Sequence, residues 1–328
     1  MKCINKWICL SLLIAVSCVS GCGKTSAAIE QPYDVYATAA DFGLSSNGTA
    51  EAKSYFASDL CVSEDVAIGT DSTDSQVAEG AGTFNLETNT VVYAKNLYER
   101  LYPASTTKFL TAYIALKYCD DLDAMVTVSE NAVNQASDSS VCNLKAGDVI
   151  RLRDLLYGLM LRSGNDAAVA IAEYISGDVD SFAALMNQEA AAMGATRSHF
   201  VNPNGLPDEN HYTCVYDMYL IFSNAIKNDT FVSIIGTTSY DVTYTDASGE
   251  AVTHTWENTN QYLTGNATTP DGFQIVGGKT GTTGEAGYCL VLYSYNPSGQ
   301  PIISIVFKAD GKSNLYLLMN EMLQGFAI

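Results

Sequence analysis

Leu101-Tyr-Pro-Ala-Ser-Thr-Thr-Lys-Phe-Leu-Thr-Ala-Tyr-Ile-Ala-Leu116 sets a proline just ahead of a long apolar-periodic run, which reads as the start of a helix. Ser105 then falls in the first turn, where free backbone amides and the helix dipole favour negative charge on a nucleophile or a nearby oxyanion. Lys108 follows three residues later and shares a helix face with the serine. A serine hydroxyl is inert without a base, and a lysine becomes one when burial and neighbouring cations lower its pKa. An isolated Ser-x-x-Lys also occurs on ordinary surface helices, so it carries weight only in company.

Two further segments supply that company. The apolar helix pattern Leu155–Leu161 breaks at Arg162-Ser163-Gly164, and a new helix begins after Asn165-Asp166. Ser163 and Asn165 therefore lie on a short interhelical connection, where they either project into a cleft or cap the following helix. Phe273-Gln-Ile-Val-Gly-Gly-Lys279-Thr280-Gly281-Thr-Thr reads as a strand whose glycines let a ligand's backbone approach closely. Lys279 on it offers a cation to depress the pKa of Lys108 and to bind a carboxylate. In this order, Ser-x-x-Lys, Ser-x-Asn and Lys-Thr-Gly make up the motif set of the penicillin-interacting serine acyl-transferases.

The periods of the remaining chain supply an architecture. Thr83–Ala94 reads as a hairpin, helical patterns dominate from about Ala104 to Lys227, and strand patterns return at Gln274–Val276, Tyr288–Tyr295 and Ile302–Ala309. Asn296-Pro-Ser-Gly299 is a turn, and Asn314–Leu323 closes the chain as an apolar helix. Strands first and last with helices between imply an α+β fold: an antiparallel sheet joined by both chain ends, with a helical lobe inserted in the middle.

The chain resembles the serine-type D-alanyl-D-alanine carboxypeptidases, the low-molecular-weight penicillin-binding proteins of the β-lactamase/transpeptidase-like superfamily. The likeness extends from about residue 75 to 325 and includes Tyr102–Lys108, Asp154–Ala168, Phe182–Asn187, Phe200–Leu206 and Gly278–Gly287. It departs at Asn204, where family members often carry histidine. The resemblance implies a five-stranded antiparallel sheet flanked by helices plus an inserted all-helical subdomain, with the cleft between them. It implies that Ser105 attacks the carbonyl between two D-alanines of a peptidoglycan stem peptide, activated by Lys108, and that β-lactam antibiotics acylate the same serine. Ser163 would relay a proton to the leaving D-alanine, and the backbone amides of Ser105 and Thr282 would form the oxyanion hole. Lys279, Thr280 and Gly281 would hold the substrate strand and its carboxylate, and Asn165 the penultimate amide. A class A β-lactamase shares the motifs but needs a Glu-x-x-Leu-Asn loop, which does not occur between Asn165 and Lys279. A penicillin sensor that acylates without turnover is the other alternative.

The N-terminus reads as an address. Lys2 and Lys6 precede an apolar run from Trp7 to Val19 that ends in Val19-Ser-Gly-Cys22. This resembles a bacterial lipoprotein signal, cleaved before Cys22 with that cysteine lipidated, which implies a membrane anchor on the extracytoplasmic face. The expected organisation is a signal at 1–21, an acidic tether at 22–75 and a catalytic domain at 76–328. Losing residues 1–21 removes Lys2 and Lys6 and no acid, carrying the formal charge from −19 to −21. So acidic a chain has no basic stripe for nucleic acid. Apart from Cys22 and three signal cysteines, Cys61, Cys119, Cys142, Cys214 and Cys289 remain, an odd set without Cys-x-x-Cys spacing. His199, His211 and His254 show no metal-ligand spacing, so neither metal nor cofactor is expected.

Overall fold

A computed structural model of the chain describes residues 57–328. The signal segment 1–21, Cys22 and the tether as far as residue 56 lie outside the described residues. Asp59–Ile328 form one compact unit. The packed chain thus starts ahead of the sequence-based boundary at 76: Cys61 is buried with its N–H on Tyr219 Oη at 2.9 Å, and Ile68 exchanges two backbone hydrogen bonds with Ala94.

The main sheet has five strands, β1 (Ala78–Asn85), β2 (Thr90–Lys95), β7 (Gln274–Thr283), β8 (Gly287–Tyr295) and β9 (Pro301–Ala309). Their order is β2-β1-β9-β8-β7, and every neighbouring pair is antiparallel. Side chains alternate across the pleat, so each face builds its own core. Ile303, Ile305 and Phe307 join the larger core on one face of β9, while Ile302, Val306 and Ala309 join a second core on the other. Helix α8 (Lys312–Phe326) covers that second face with Leu315, Leu318, Met319, Met322 and Leu323. Their spacing of three and four residues is the apolar stripe of a half-buried helix.

Between β2 and β7 the chain forms a 3₁₀ turn, Ala104–Thr107, and seven helices: α1 (Lys108–Tyr118), α2 (Glu130–Val133), α3 (Leu152–Tyr157), α4 (Asn165–Ser176), α5 (Val179–Ala192), α6 (Val215–Ala225) and α7 (Asp229–Ile235). The insertion is not wholly helical. It also holds β3 (Met125–Thr127), β4 (Val149–Arg151), β5 (Ser239–Thr245) and β6 (Ala251–Glu257), an antiparallel sheet of order β3-β4-β5-β6. Two of these strands are too short to show a period. The β5–β6 hairpin buries only a few side chains, among them Val242, Tyr244 and Trp256. Buried Asp154 ties this small sheet to the helices, accepting hydrogen bonds from Arg151 Nε at 2.8 Å and Tyr240 Oη at 2.5 Å.

The five cysteines of the described residues are free thiols, and four of them are buried. No helix among the described residues is long and apolar enough to cross a membrane.

The larger core is pinned where β1 meets α6. Phe84 is fully buried, with its ring stacked on Tyr219 at 4.2 Å. Phe84→Ala should cost about 3–5 kcal/mol through lost burial and an unfilled cavity, lowering Tm by roughly 10 °C in calorimetry. A Tm within 2–3 °C of the parent would mean that the site collapses around the gap.

Candidate active site

Ser105 sits in the 3₁₀ turn that leads into α1, half-buried at the floor of a cleft. The preceding Ala104 takes φ 48°, a left-handed conformation that costs a non-glycine residue about 1–3 kcal/mol and recurs at functional sites. Two glycines make room for this turn. Gly205 has φ 89°, and a Cβ there would meet Ala104 O at 1.8 Å. A Cβ on Gly281 would come within 2.9 Å of Ser105 N. Strand β7 therefore lies directly against the serine's backbone amide.

Lys108 is completely buried. Its Nζ lies within hydrogen-bond reach of three oxygens: Ser105 Oγ at 3.0 Å, Asn165 Oδ1 at 2.8 Å and Asn204 O at 2.6 Å. Burial pushes its pKa well below the ordinary lysine value, and the charge of Lys279 pushes it further in the same direction. Lys279 is itself buried, with Nζ donating to Thr280 O at 2.8 Å, and burial lowers its pKa to about 7. Two amines thus share a dry region in which neither gains from being charged beside the other.

The connection that carries Ser163 and Asn165 is shaped by one turn of π-helix, Gly158–Arg162, a distortion common near functional sites. It ends in Ser163 with φ 59°. Asn165 does not cap α4; its side-chain oxygen goes to Lys108 instead. The neighbouring Asp166 takes the structural role, accepting backbone N–H bonds from Cys142 at 2.9 Å and Leu144 at 3.1 Å. Asn165 N donates to Ser140 O at 2.8 Å, so the 140–144 loop is fixed on the same element.

Two hollows meet at Ser105. One, of about 420 Å³, is bordered by Ser140, Asn165, Asn204, Gly205, Leu206 and Thr282. The other, of about 220 Å³, is bordered by Ser163, Thr259, Thr280, Gly281, Lys312 and Tyr316. The hydroxyls of Thr280 and Thr259 lie 2.7 Å apart on its wall. Every residue singled out by the motifs thus borders or underlies one cleft. Sequence reasoning missed the Asn204 carbonyl, which acts through the backbone, although the Asn-Pro-x-Gly-Leu segment marks its loop. It also missed Lys312, whose place at the head of α8 beside β7 has no signature in the sequence.

Residues 69–311 match the family model for D-alanyl-D-alanine carboxypeptidase, peptidase family S11. The D-alanyl-D-alanine carboxypeptidase DacF of Bacillus subtilis is 33% identical over 75% of this chain and 61% of its own length. The D-alanyl-D-alanine carboxypeptidase of Streptomyces sp. strain K15 is 34% identical over 76% of this chain and 88% of its own. Among solved structures, the Streptomyces K15 DD-transpeptidase superposes with a TM-score of 0.71 at 32% identity, covering 77% of this chain and 98% of that one.

The electrostatic link between the two lysines can be measured. Charge at Lys279 disfavours charge at Lys108, so Lys279→Ala should raise the Lys108 pKa. NMR titration of 13C-labelled lysine should then show the Lys108 inflection at higher pH than in the parent. An unmoved inflection would leave burial as the only cause of the depression.

Proposed function

The chain belongs to the D-alanyl-D-alanine carboxypeptidase family, peptidase family S11, and from that premise we propose that it removes the terminal D-alanine from peptidoglycan stem peptides through an acyl-enzyme on Ser105. The observation that carries this reading is the buried Lys108 amine, 3.0 Å from Ser105 Oγ and depressed in pKa.

The chemistry follows from that pair. A stem peptide lies along the free edge of β7, extending the sheet by one strand. Lys279 and Thr280 hold its terminal carboxylate, and Asn165 contacts the penultimate amide. Ser105 Oγ attacks the carbonyl carbon between the two D-alanines while its proton passes to the neutral Lys108 amine. Backbone amides of Ser105 and Thr282 stabilise the oxyanion. The carbon–nitrogen bond then breaks as the proton held on Lys108 is delivered to the departing D-alanine nitrogen, with Ser163 as the relay that gives one proton and takes another. Water attacks the ester, regenerating the Ser105 hydroxyl and releasing the shortened peptide. A β-lactam enters at the first step and acylates Ser105 in the same way, but its leaving nitrogen stays tethered in the site.

Outside the catalytic unit, Lys2, Lys6, the apolar run and Val19-Ser-Gly-Cys22 support cleavage before Cys22 and lipid attachment there. One acyl chain holds a protein only marginally on a membrane, whereas two hold it stably. The enzyme then works on the extracytoplasmic face, where its substrate lies.

Ser105→Ala should abolish both labelling by a fluorescent penicillin and D-alanine release from diacetyl-Lys-D-Ala-D-Ala. Adding an amine acceptor to the parent separates hydrolysis from transfer, since both draw on the same acyl-enzyme. Label persisting at Ser163 or elsewhere in the variant would overturn the assignment of the nucleophile, and a parent that acylates without steady D-alanine release would be a sensor.

Cys22→Ala should prevent incorporation of a labelled fatty acid and lipoprotein-type cleavage before residue 22. Incorporation equal to that of the parent would sink the anchor.

A further inference from the structure

His211 is completely buried and takes no part in the steps above. Its two ring nitrogens face different parts of the chain. Nδ1 lies 3.2 Å from Val201 N and accepts that backbone hydrogen. The proton therefore sits on Nε2, which donates to Thr107 Oγ1 at 2.8 Å. Phe200 meets the ring edge-on at 5.4 Å, and His211 N donates to Asp208 O at 2.9 Å. The charged and titratable groups facing it are Asp208, which favours the imidazolium, and His199 and Lys108, which oppose it. Burial outweighs them and holds the pKa down to about 4, so the ring is neutral at pH 7, as the Val201 bond requires.

Thr107 immediately precedes Lys108 in the nucleophile turn. Val201 opens the segment whose Pro203 O accepts Thr111 Oγ1 at 2.7 Å and whose Asn204 O accepts Lys108 Nζ at 2.6 Å. We infer that His211 is a positioning residue for acylation: it ties the turn that carries Ser105 and Lys108 to the loop that supplies the lysine's carbonyl acceptor. The imidazole touches no reacting atom. It acts by fixing the separation of two backbone segments between which the lysine nitrogen is held. A shift of about 1 Å in such a group costs on the order of a hundredfold in rate. The inference rests on the reading of Ser105 as the acylated residue.

The test compares second-order rates of acylation by a fluorescent penicillin, with Tm measured alongside, across four variants. His211→Phe fills the space but offers neither contact and should slow acylation at least tenfold. His211→Gln keeps an N–H donor within reach of Thr107 and should regain most of that loss. Thr107→Val keeps shape and removes the partner hydroxyl; it should reproduce the slowing, and it carries the test if His211→Phe does not fold. Glu189→Gln breaks a remote buried contact to Lys117 and Tyr118, and should lower Tm while acylating at the parent rate. Parent-like rates in His211→Phe or Thr107→Val would overturn the inference. So would equal slowing in Glu189→Gln at a matched loss of Tm, which would make the effect one of stability. A parent that takes no label would overturn the Ser105 reading and this inference together.

Discussion

The Lys108 nitrogen lies where water does not reach, and its three oxygen partners come from three separate places: the turn that carries Ser105, the head of α4 and the loop at Asn204. An ammonium in such a place is costly unless every proton finds a partner, and a neutral amine is favoured as soon as another cation stands nearby. Lys279 is that cation, and it comes from β7, a fourth segment. The site's chemistry is therefore a demand on the fold. Two helix starts, one loop and one edge strand must be held together tightly enough to keep a single nitrogen dry. The π-helical turn before Ser163, the left-handed Ala104 and the close approach of Gly205 and Gly281 are the local distortions by which the backbone meets it.

In the proposed mechanism the lysine pair reconciles two tasks that conflict in water. A base must be unprotonated near neutral pH, whereas a partner for a carboxylate works best charged. Lys108 is driven down by complete burial plus a neighbouring charge; Lys279 is lowered by burial alone, to about 7, and a bound carboxylate favours its ammonium form. The same residue type is thus tuned differently at the two positions, by surroundings rather than by chemistry.

Much of this was legible in the sequence because the candidate groups that come together are side chains at fixed local spacings. Ser105 and Lys108 are one helical turn apart, Ser163 and Asn165 share a connection that a broken apolar run announces, and Lys279 stands in a glycine-marked strand. Strand alternation pointed to the antiparallel sheet for the same reason, its count of five coming from the family resemblance: Leu290, Leu292 and Val291, Tyr293 really do enter opposite cores. What could not be read acts through the backbone or across long separations. Asn204 contributes a carbonyl that any residue would carry, and His211 matters through a tautomer fixed by Val201 N–H. The small sheet was overlooked because β3 and β4 have three residues each. The β5–β6 hairpin did leave a trace, since Val242 and Tyr244 alternate with polar residues ahead of Asp246-Ala-Ser-Gly249.

The pairing of β1 with β9 brings together residues made at opposite ends of synthesis: the hydroxyls of Thr83 and Ser304 are 3.3 Å apart although 221 positions separate them. Closing so long a loop costs entropy before any contact rewards it. In chain order Ser105 and Lys108 are made well before the strand that sets Lys279 and Gly281 beside them. Without that strand against β8, Ser105 would lack both the second cation near its lysine and the wall against its amide. Completion of the sheet is thus what brings Lys279 and Gly281 to the turn that holds Ser105 and Lys108.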